Sequence, residues 1–600
     1  MPTIGSPLHG TVVSIDVGEG DLVRTGQPVL VLESMKMQHP VEAAAAGFVR
    51  KIEVAVADTV VPGQALVVVE EAAVVDADER EEQTGPSEQI RADLAEVLER
   101  HALGQDEARP DAVERRRQTG QRTARENVED LCDDGSFVEY GGLAIAAQRR
   151  RRDVDELIRR TPADGLVAGI GTVDGHRTIA MSYDYTVLAG TQGLQNHRKK
   201  DRLFELAETL RLPIVFFTEG GGGRPGDTDG VGVSGLDTMA FHLFASLSGL
   251  VPLVAVNSGY CFAGNAAILG CCDVVIATAN SNIGMGGPAM IEGGGLGAYP
   301  PGAIGPMEVQ VPNGVVDVAV ADEAAAVAAA RQYLSYFRGA VPEWDEPDQA
   351  RLRHIVPEDR LRTYDVRQVL STLADRGSVL ELRQGFGTGM ITALARVGGR
   401  PVGVIANNPA HLGGAIDATA ADKAARFMQL CDAFDVPLIS LCDTPGIMVG
   451  PDSERQASVR HCARMFVIGS TLTVPLLTIV LRKGYGLGAQ AMAGGSFKAP
   501  IFTVAWPTGE FGGMGLEGAV RLGYRRELEA IDDPERREQT FQEMVAAMYR
   551  HGKALNTATY FEIDDVIDPA ESRRWITAAL DSAPPPPARA GKKRPCIDTW

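Results

Sequence analysis

Eight cysteines in 600 residues include no Cys-x-x-Cys pair and no Cys/His spacing suited to zinc, which excludes a disulfide scaffold and a structural metal site. Cys271 and Cys272 are merely adjacent. All eight read as reduced, mostly buried thiols of a reducing compartment, the cytoplasm. The amino terminus, MPTIGSPLHG, lacks the basic-then-apolar order of an export signal. No uncharged apolar run reaches the roughly 18 residues that cross a bilayer. Basic charge is also short: 58 Lys and Arg stand against 79 Asp and Glu, a net charge of -21. That balance argues against nucleic acid or an anionic membrane as a general partner. No glycine cluster reads GxxxxGK[ST], and TEGGGGRPG (218–226) lacks the GxGxxG-plus-acid arrangement. Nucleotide hydrolysis therefore finds no support.

What is abundant is glycine, 67 residues without a collagen-like period, which implies many tight turns and close backbone approaches. An apolar fraction of 44% and a charged fraction of 23% are those of a globular protein. The length suggests about three or four domains at roughly 150 residues each. The first seventy residues contain a repeat. GTVVSIDVGEGDLVRTGQPVLVLE (10–33) parallels GFVRKIEVAVADTVVPGQALVVVE (47–70), with Gly10/Gly47, Asp21/Asp58, Gly26/Gly63, Gln27/Gln64 and Glu33/Glu70 identical at an offset of 37. Alternating Val, Ile and Leu with glycine turns predict a β-rich unit used twice, packed as a flattened barrel of quasi-two-fold symmetry.

The joint between the copies is ESMKMQHPVEAAAA, which places Lys36 at a turn, far from the rest of the fold, between Met35 and Met37. A charged residue at a hairpin tip is common by itself; the turn, the two methionines and the duplicated barrel together indicate a lysine held out to be acylated. The stretch resembles the modification site of biotin carrier domains, usually Glu-Ala-Met-Lys-Met, with Ser34 in place of Ala as the one departure. Lipoyl domains have similar halves but lack the Met-Lys-Met context. The resemblance implies biotin in amide linkage to Lys36, with Met35 and Met37 read by a biotin protein ligase.

From Val74 to about Gly120 the composition becomes charged and nearly free of aromatics, with helical spacing at 88–101. It reads as a tether with one helix. Beyond it lies a fainter duplication: LRLPIVFFTEGGGGRPG (210–226) with FDVPLISLCDTPGIMVG (434–450), and LVPLVAVNSGYCFAGNA (250–266) with TVPLLTIVLRKGYGLGAQA (473–491). Gly259-Tyr260 and Gly484-Tyr485 fall 225 apart. Apolar β-branched runs end in glycine clusters and lead into Ala-rich helices, the pattern of βαβ units around a largely parallel sheet. The turns around Ala263-Gly264 and Leu487-Gly488 recur in both halves. Tight strand-to-helix turns of small residues permit close packing; they also aim backbone N–H groups into a cavity, where each donor to a developing oxyanion is worth roughly 3 kcal/mol.

Residues 110–585 resemble the β-type carboxyltransferase subunit of biotin-dependent acyl-CoA carboxylases such as propionyl-CoA carboxylase. The motifs are TARENVEDLCDDGSFVEYGGL (123–143), YDYTVLAGTQG (183–193), IANNPAHLGGAID (405–417), ADKAARFMQLCDAFDVPLISLCDTPGIMVG (421–450), LRKGYGLGAQAM (481–492), AWPTGEFGGMGLEGAV (505–520) and EIDDVIDP (562–569). The resemblance implies an α/β protein: a biotinyl/lipoyl-like barrel followed by two tandem crotonase-like domains, assembled as a hexamer, with active sites between the amino half of one subunit and the carboxyl half of another. The expected organisation is a carrier domain at 1–72, a charged linker at 73–109, crotonase-like domains at 110–345 and 346–585, and a tail at 586–600. The implied reaction moves CO2 from carboxybiotin on Lys36 to the α carbon of an acyl-CoA. By resemblance, amides matching Leu487 and Gly488 hold the biotin oxyanion, those matching Ala263 and Gly264 hold the thioester enolate, and the biotin nitrogen takes the α-proton, so no side-chain base is required. Gly221, Gly222, Gly223 and Arg224 match a family Gly-Gly-Ala-Arg segment that helps hold CoA. Gln490 matches the position that sets acyl-chain choice, and is neither the acid of propionyl enzymes nor the aliphatic residue of acetyl enzymes.

Nothing here resembles an ATP-grasp biotin carboxylase, so a separate biotin carboxylase subunit is the expected partner. His197 in NHRKKDR reads as part of a solvated face, whereas Arg198, Lys199 and Lys200 are candidates to attract the CoA phosphates. Glu510 reads equally as a helix cap. APPPPARAGKKRP (583–595) reads as disordered. Two alternatives accompany the carboxylase reading: a decarboxylase or transcarboxylase running the same chemistry backwards, and an inactive carrier-scaffold subunit.

Overall fold

The computed structural model describes residues 2–72, 90–230, 233–587 and 589–600. Its contacts divide the chain into two compact units, Met1–Arg91 and Ala92–Trp600.

In the first unit, eight strands form two four-stranded sheets. Gly10–Ile15, Leu22–Val23 and Pro28–Ser34 recur 37 positions later as Gly47–Ile52, Thr59–Val60 and Ala65–Glu71. The identical residues do identical work. Asp21 and Asp58 each accept a hydrogen bond from the amide three residues earlier, Gly18 at 2.7 Å and Ala55 at 2.8 Å. Gln27 and Gln64 serve Arg24 and Val61 in the same way. A Cβ on Gly10 would lie 2.7 Å from the Glu33 carbonyl oxygen, and one on Gly47 2.2 Å from that of Glu70, so both crossings demand glycine. Val12, Val23, Leu30, Leu32, Val49 and Leu66 fill the space between the sheets.

The second unit contains two sheets of the same plan. In the first, Val138–Glu139, Leu166–Val173 and His176–Tyr183 run antiparallel, and Ile214–Phe217, Leu253–Asn257, Val274–Thr278 and Val318–Val320 continue in parallel. In the second, Leu380–Leu382, Met390–Val397 and Arg400–Asn407 are the antiparallel strands, and Leu438–Thr444, Leu476–Tyr485, Phe502–Ala505 and Asp565–Val566 the parallel ones. Leu166 and Met390 begin equivalent strands 224 residues apart, as do His176 and Arg400. Each hairpin closes on two positive-φ residues, Asp174-Gly175 and Gly398-Gly399, as tight hairpin turns favour. The Leu253–Asn257 strand is buried at every residue, which is what a parallel sheet covered on both faces requires. One continuous core joins the halves, running from Val215 and Val254 to Phe427 and Leu438. The structural offset differs by one from the Gly-Tyr match in the sequence: Tyr260 corresponds to Gly484, and the two pair with Asn282 and Phe511 respectively.

The charged segment behaves differently along its length. Residues 73–89 lie outside the described residues. Ala92–Ala102 and Pro110–Gln118 are helices of the second unit. Arg109 bonds Asp184 at 2.8 Å, and the guanidinium of Arg116 is buried against Glu219. The end of the chain corrects the expectation of disorder. The described residues of 583–595 have no regular secondary structure, but Arg594 bonds Asp432, Lys593 bonds Asp435 at 2.6 Å, and Ile597 is buried. Arg589, Lys593 and Arg594 thus have carboxylate partners on the carboxyl half. All eight cysteines are free thiols. Among the described residues, no helix is long and apolar enough to cross a membrane and no cluster of His, Cys, Asp and Glu is arranged to hold a metal.

Candidate active site

Lys36 occupies the tip of a hairpin. Pro28–Ser34 pairs with Met37–Glu42, Ser34 opposite Met37, which leaves Met35 and Lys36 as the two central turn residues. Their φ values are 51° and 65°, and positive φ at both central positions is the requirement of a type I′ turn. Such a turn normally takes Asn and Gly; Met and Lys there sacrifice local preference, which is typical where a backbone is constrained for function. Met35 is 96% exposed and Met37 65% exposed, and Lys36 is exposed between them. An unobstructed amine on a two-residue loop suits covalent attachment of a carrier group.

In the amino half, the strand Ile214–Phe217 runs into Thr218-Glu219-Gly220-Gly221-Gly222-Gly223-Arg224, and Tyr260–Phe262 runs into the helix Gly264–Gly270. The two turns touch. A Cβ on Gly222 would lie 2.7 Å from the Ala263 Cβ, and its φ is 90°. Buried Asn265 locks the approach: its Oδ1 accepts from the Gly222 amide at 3.0 Å and from Gln192 Nε2 at 3.1 Å, and its Nδ2 donates to the Gly190 and Thr218 carbonyls. In the carboxyl half, Gly488 meets Gly446 in the same way, with a Cβ at Gly488 falling 2.7 Å from the Gly446 Cα. Ala263 and Gly264 therefore stand where Leu487 and Gly488 stand, 224 positions on. Gly486–Met492 is the corresponding helix, and the Leu487 and Gly488 amides lie in its first turn, whose N–H groups have no acceptor inside the helix.

The predicted donors are not all free. Ala263 adopts φ 52°, and its amide donates to the Gly284 carbonyl at 3.1 Å. The Gly264 amide opens the helix without such a partner. The Gly223 amide donates to no described residue, and a Cβ at Gly223 would meet nothing within 4 Å. The amides of these turns left without an acceptor among the described residues are thus Gly264 and Gly223. Arg224 points inward: its guanidinium pairs with Asp164 and donates to the Thr191 carbonyl at 2.8 Å. It braces the loop and has no surface from which to grip a phosphate.

The NHRKKDR cluster is likewise structural. Lys199 donates to the carbonyls of Ala163 and Leu166, and Lys200 to Gln192 Oε1 at 2.6 Å and the Tyr183 hydroxyl at 3.1 Å. Burial pulls Lys199 down to about 8 and Lys200 to about 7. Neither reaches solvent phosphate. His197 is not part of a solvated face: burial, reinforced by Lys200, lowers it to about 3, so it is neutral, and its Nδ1 has no partner among the described residues. Of the cluster, only Arg198 and Arg202 are exposed.

Each glycine turn is braced by a buried carboxylate at the end of the strand before it, Asp443 within the strand and Glu219 two residues past its last residue. Asp443 accepts from the Tyr364 hydroxyl at 2.8 Å, from Arg482 at 3.1 Å and from the Lys483 amide at 3.1 Å. Glu219, at the equivalent place, is held by Arg116 and Gln121. Burial pushes the Glu219 carboxyl up to about 7, against the pull of Arg116. Glu510 is no helix cap; it accepts from the Tyr485 hydroxyl at 2.9 Å. Beside Leu487 and Gln490 opens a cavity of about 660 Å³ lined by Phe497, Phe511, Met514 and Leu516, among others. Gln490 and Leu487 are exposed, Leu487 by 61%.

The sequence matches two families: the carboxyl transferase domain over residues 115–593 and the biotin-requiring enzyme domain over residues 1–69. The methylmalonyl-CoA carboxyltransferase 12S subunit of Propionibacterium freudenreichii subsp. shermanii is 35% identical over 489 residues, covering 78% of this chain and 90% of that subunit. The biotin-dependent long chain acyl-coenzyme A carboxylase beta4 subunit of Mycobacterium tuberculosis is 33% identical over 508 residues, covering 81% of this chain and 93% of that one. Among solved structures, a single-chain, multi-domain long-chain acyl-CoA carboxylase is 57% identical with a TM-score of 0.79. That match covers 96% of this chain, which spans 58% of the length of the multi-domain protein. The transcarboxylase 12S hexamer with methylmalonyl-CoA bound superposes with a TM-score of 0.72 at 32% identity, over 84% of this chain and 98% of that one.

Proposed function

The chain belongs to the carboxyl transferase family and carries a biotin-requiring domain at its amino end, and on that premise we propose how its parts divide the reaction. It is a carboxyltransferase fused to the biotin carrier of an acyl-CoA carboxylase. Biotin in amide linkage to Lys36 Nζ would bring the carboxyl group to be transferred. The amides of Leu487 and Gly488 would hold the ureido oxygen of the biotin, which would supply the carboxyl group by breaking its ureido N–C bond and, with that nitrogen freed, an acceptor for the α-proton lost from the acyl-CoA. The amides of Gly264 and Gly223 hold the thioester oxygen of the acyl-CoA while its α carbon gains the carboxyl group. Fixed backbone dipoles stabilise negative charge developing on such oxygens without reorganising, and one donor is worth about 3 kcal/mol. Ala263 is left out of the pair because Gly284 already takes its amide. The single observation that carries this reading is the recurrence of touching glycine turns in both halves, Gly222 on Ala263 and, one position further along the second turn, Gly446 on Gly488.

The acyl group belongs, on this proposal, to the long-chain class. The 57% identity to a long-chain acyl-CoA carboxylase supports it, and so does the largely apolar cavity beside Leu487 with the uncharged Gln490 at its rim. Charging of Lys36 with carboxyl from ATP and bicarbonate is assigned to a biotin carboxylase outside this sequence, and attachment of biotin to a biotin protein ligase that reads Met35 and Met37. A cytoplasmic hexamer with the two turns meeting across subunits is the expected assembly, on the precedent of the 12S hexamer. Carboxyl transfer from carboxylated acyl-CoAs of increasing chain length to free biotin tests the reading without a partner subunit. Fastest transfer from long chains supports it, fastest transfer from malonyl- or methylmalonyl-CoA overturns the substrate class, and no transfer from any member establishes the carrier-scaffold alternative.

A further inference from the structure

The two glycine turns are clasped alike by backbone and unlike by side chains. In the carboxyl half the Ile416 amide donates to the Gly446 carbonyl at 3.0 Å, and the Ile416 carbonyl accepts from the Met448 amide at 2.9 Å. In the amino half, 224 positions earlier, Gln192 makes the same two bonds, to the Gly222 carbonyl at 2.8 Å and from the Arg224 amide at 3.0 Å. Ile416 is buried, so an apolar side chain suffices for this clasp. Gln192 carries more. Its Oε1 accepts from Lys200 Nζ at 2.6 Å, and its Nε2 donates to Asn265 Oδ1, which also takes the Gly222 amide. All three side chains are buried. The equivalents of Lys200 and Asn265 in the carboxyl half are Ala424 and Ala489, buried as well. There the Thr444 hydroxyl, two residues away, accepts the Gly446 amide at 3.1 Å. The amino half has Gly220 in place of Thr444, and a Cβ on Gly220 would lie 2.2 Å from Asn265 Nδ2. A local hydroxyl in one half is replaced by a chain of three side chains in the other.

That chain has a polarity. An ammonium can only donate and a carbonyl can only accept. Lys200 at one end and the Gly190 and Thr218 carbonyls at the other therefore fix both intervening amides. The Gln192 oxygen faces Lys200, and the Asn265 oxygen faces the turn. Lys200 also donates to the Tyr183 hydroxyl at 3.1 Å; Asp164, Asp201 and Arg224 are the charged groups acting on it, and His197 beside it is neutral. Gln192 reaches both amides assigned to the thioester oxygen. It pairs with Gly223 along the backbone, and a Cβ on Gly264 would lie 3.1 Å from its Nε2.

We propose that Gln192 is a positioning residue of the transferase, oriented by Lys200 so that the Gly223 and Gly264 amides converge on one oxygen. The proposal rests on the acyl-CoA reading of that turn. Its test is a double-mutant cycle on the full chain, Gln192→Met, Lys200→Met and both together, read as kcat and KM for carboxyl transfer from a carboxylated acyl-CoA to free biotin. The assay runs at about pH 6, below the value of about 7 to which burial pulls Lys200, so that the ammonium is charged. Gln192→Met should lower kcat about tenfold, less than the loss of a whole donor, because the amides are misaimed and not removed. KM for the acyl-CoA should stay within about twofold, since a donor to a developing oxyanion acts in the transition state. Lys200→Met should cost about as much, and the double variant no more than Gln192→Met alone, because Lys200 acts through Gln192. Lys200→Arg, again a donor only, should keep more of kcat than Lys200→Met. Losses that multiply in the double variant, a loss confined to KM, or equal losses in Lys200→Arg and Lys200→Met overturn the proposal. Should Lys200→Met not fold, Gln192→Met decides alone. Turnover indifferent to Gln192→Met defeats this assignment and leaves the acyl-CoA reading standing; an unaltered chain that transfers carboxyl from no acyl-CoA defeats both.

Discussion

Lys199 and Lys423 perform the same task in the two halves of the transferase. Each is the sixth residue of its helix, Leu194–Leu210 and Ala418–Ala433, and each inserts its ammonium between two backbone carbonyls of the preceding segment. Lys199 caps Ala163 and Leu166; Lys423 caps Arg383 at 2.8 Å and Phe386 at 2.9 Å. Burial drags Lys423 to about 7 and Lys199 to about 8.

A pH dependence follows. A lysine whose folded pKa is depressed costs stability most fully below that pKa, where both states are protonated. As pH rises from about 7 towards the unfolded value of 10.5, the folded chain has lost the proton and the unfolded chain keeps it, so stability rises. Lys423→Met lacks this relief and leaves two carbonyls without a donor, at a cost of about 1–3 kcal/mol for each unsatisfied group. Denaturant unfolding at pH 7 and pH 10 should show the gap between the unaltered chain and Lys423→Met widening by about 2 kcal/mol. A gap that stays flat or narrows contradicts a depressed Lys423.

Lys36→Arg keeps the charge and the turn but offers no amine that a ligase can acylate. The intact mass of Lys36→Arg, co-expressed with a biotin protein ligase, should lack biotin, and acyl-CoA carboxylation coupled to a biotin carboxylase should vanish. Transfer to free biotin should persist at the unaltered rate, because the glycine turns are untouched. Biotin found on the Lys36→Arg chain would refute the attachment site.

What could be read in advance depended on the distance over which a feature is encoded. The carrier was legible because its repeat is local and because Asp21/Asp58 and Gln27/Gln64 make bonds to neighbours three residues away. The paired turns were legible from recurrence, although the Gly-Tyr match pointed one residue off the structural register. Gly284 taking the Ala263 amide could not be read, since it depends on pairing of Tyr260–Phe262 with Asn282–Gly284. Nor could sequence tell which lysines of NHRKKDR face inward: the helix dips Lys199 and Lys200 under the sheet and leaves Arg198 outside.

Gly488 and Gly264 should differ in their tolerance of a methyl group. On Gly488 a Cβ meets the Gly446 backbone at 2.7 Å, which cannot yield without moving the turn. On Gly264 it meets the Gln192 Nε2 at 3.1 Å and the Phe241 Cζ at 3.2 Å, the ends of side chains. Gly488→Ala should therefore slow carboxyl transfer to free biotin by about a hundredfold, the scale of one displaced oxyanion donor, and Gly264→Ala only a few-fold. Equal losses would mean that the contact with Gly446 does not position the amides.

The cavity beside Leu487 makes the last test specific to chain length. Met514 is 44% exposed on its wall and Phe511 packs edge-on against Phe497, with ring centroids 5.6 Å apart. Met514→Trp fills part of the space without disturbing the buried Phe511 ring. If long acyl chains lie there, KM for a long-chain carboxylated acyl-CoA should rise about tenfold, since each buried methylene contributes about 0.8 kcal/mol and two are displaced. Short-chain substrates, which do not extend that far, should keep their KM. A uniform effect on all chain lengths would place the acyl group elsewhere and leave the cavity to the arriving carrier arm.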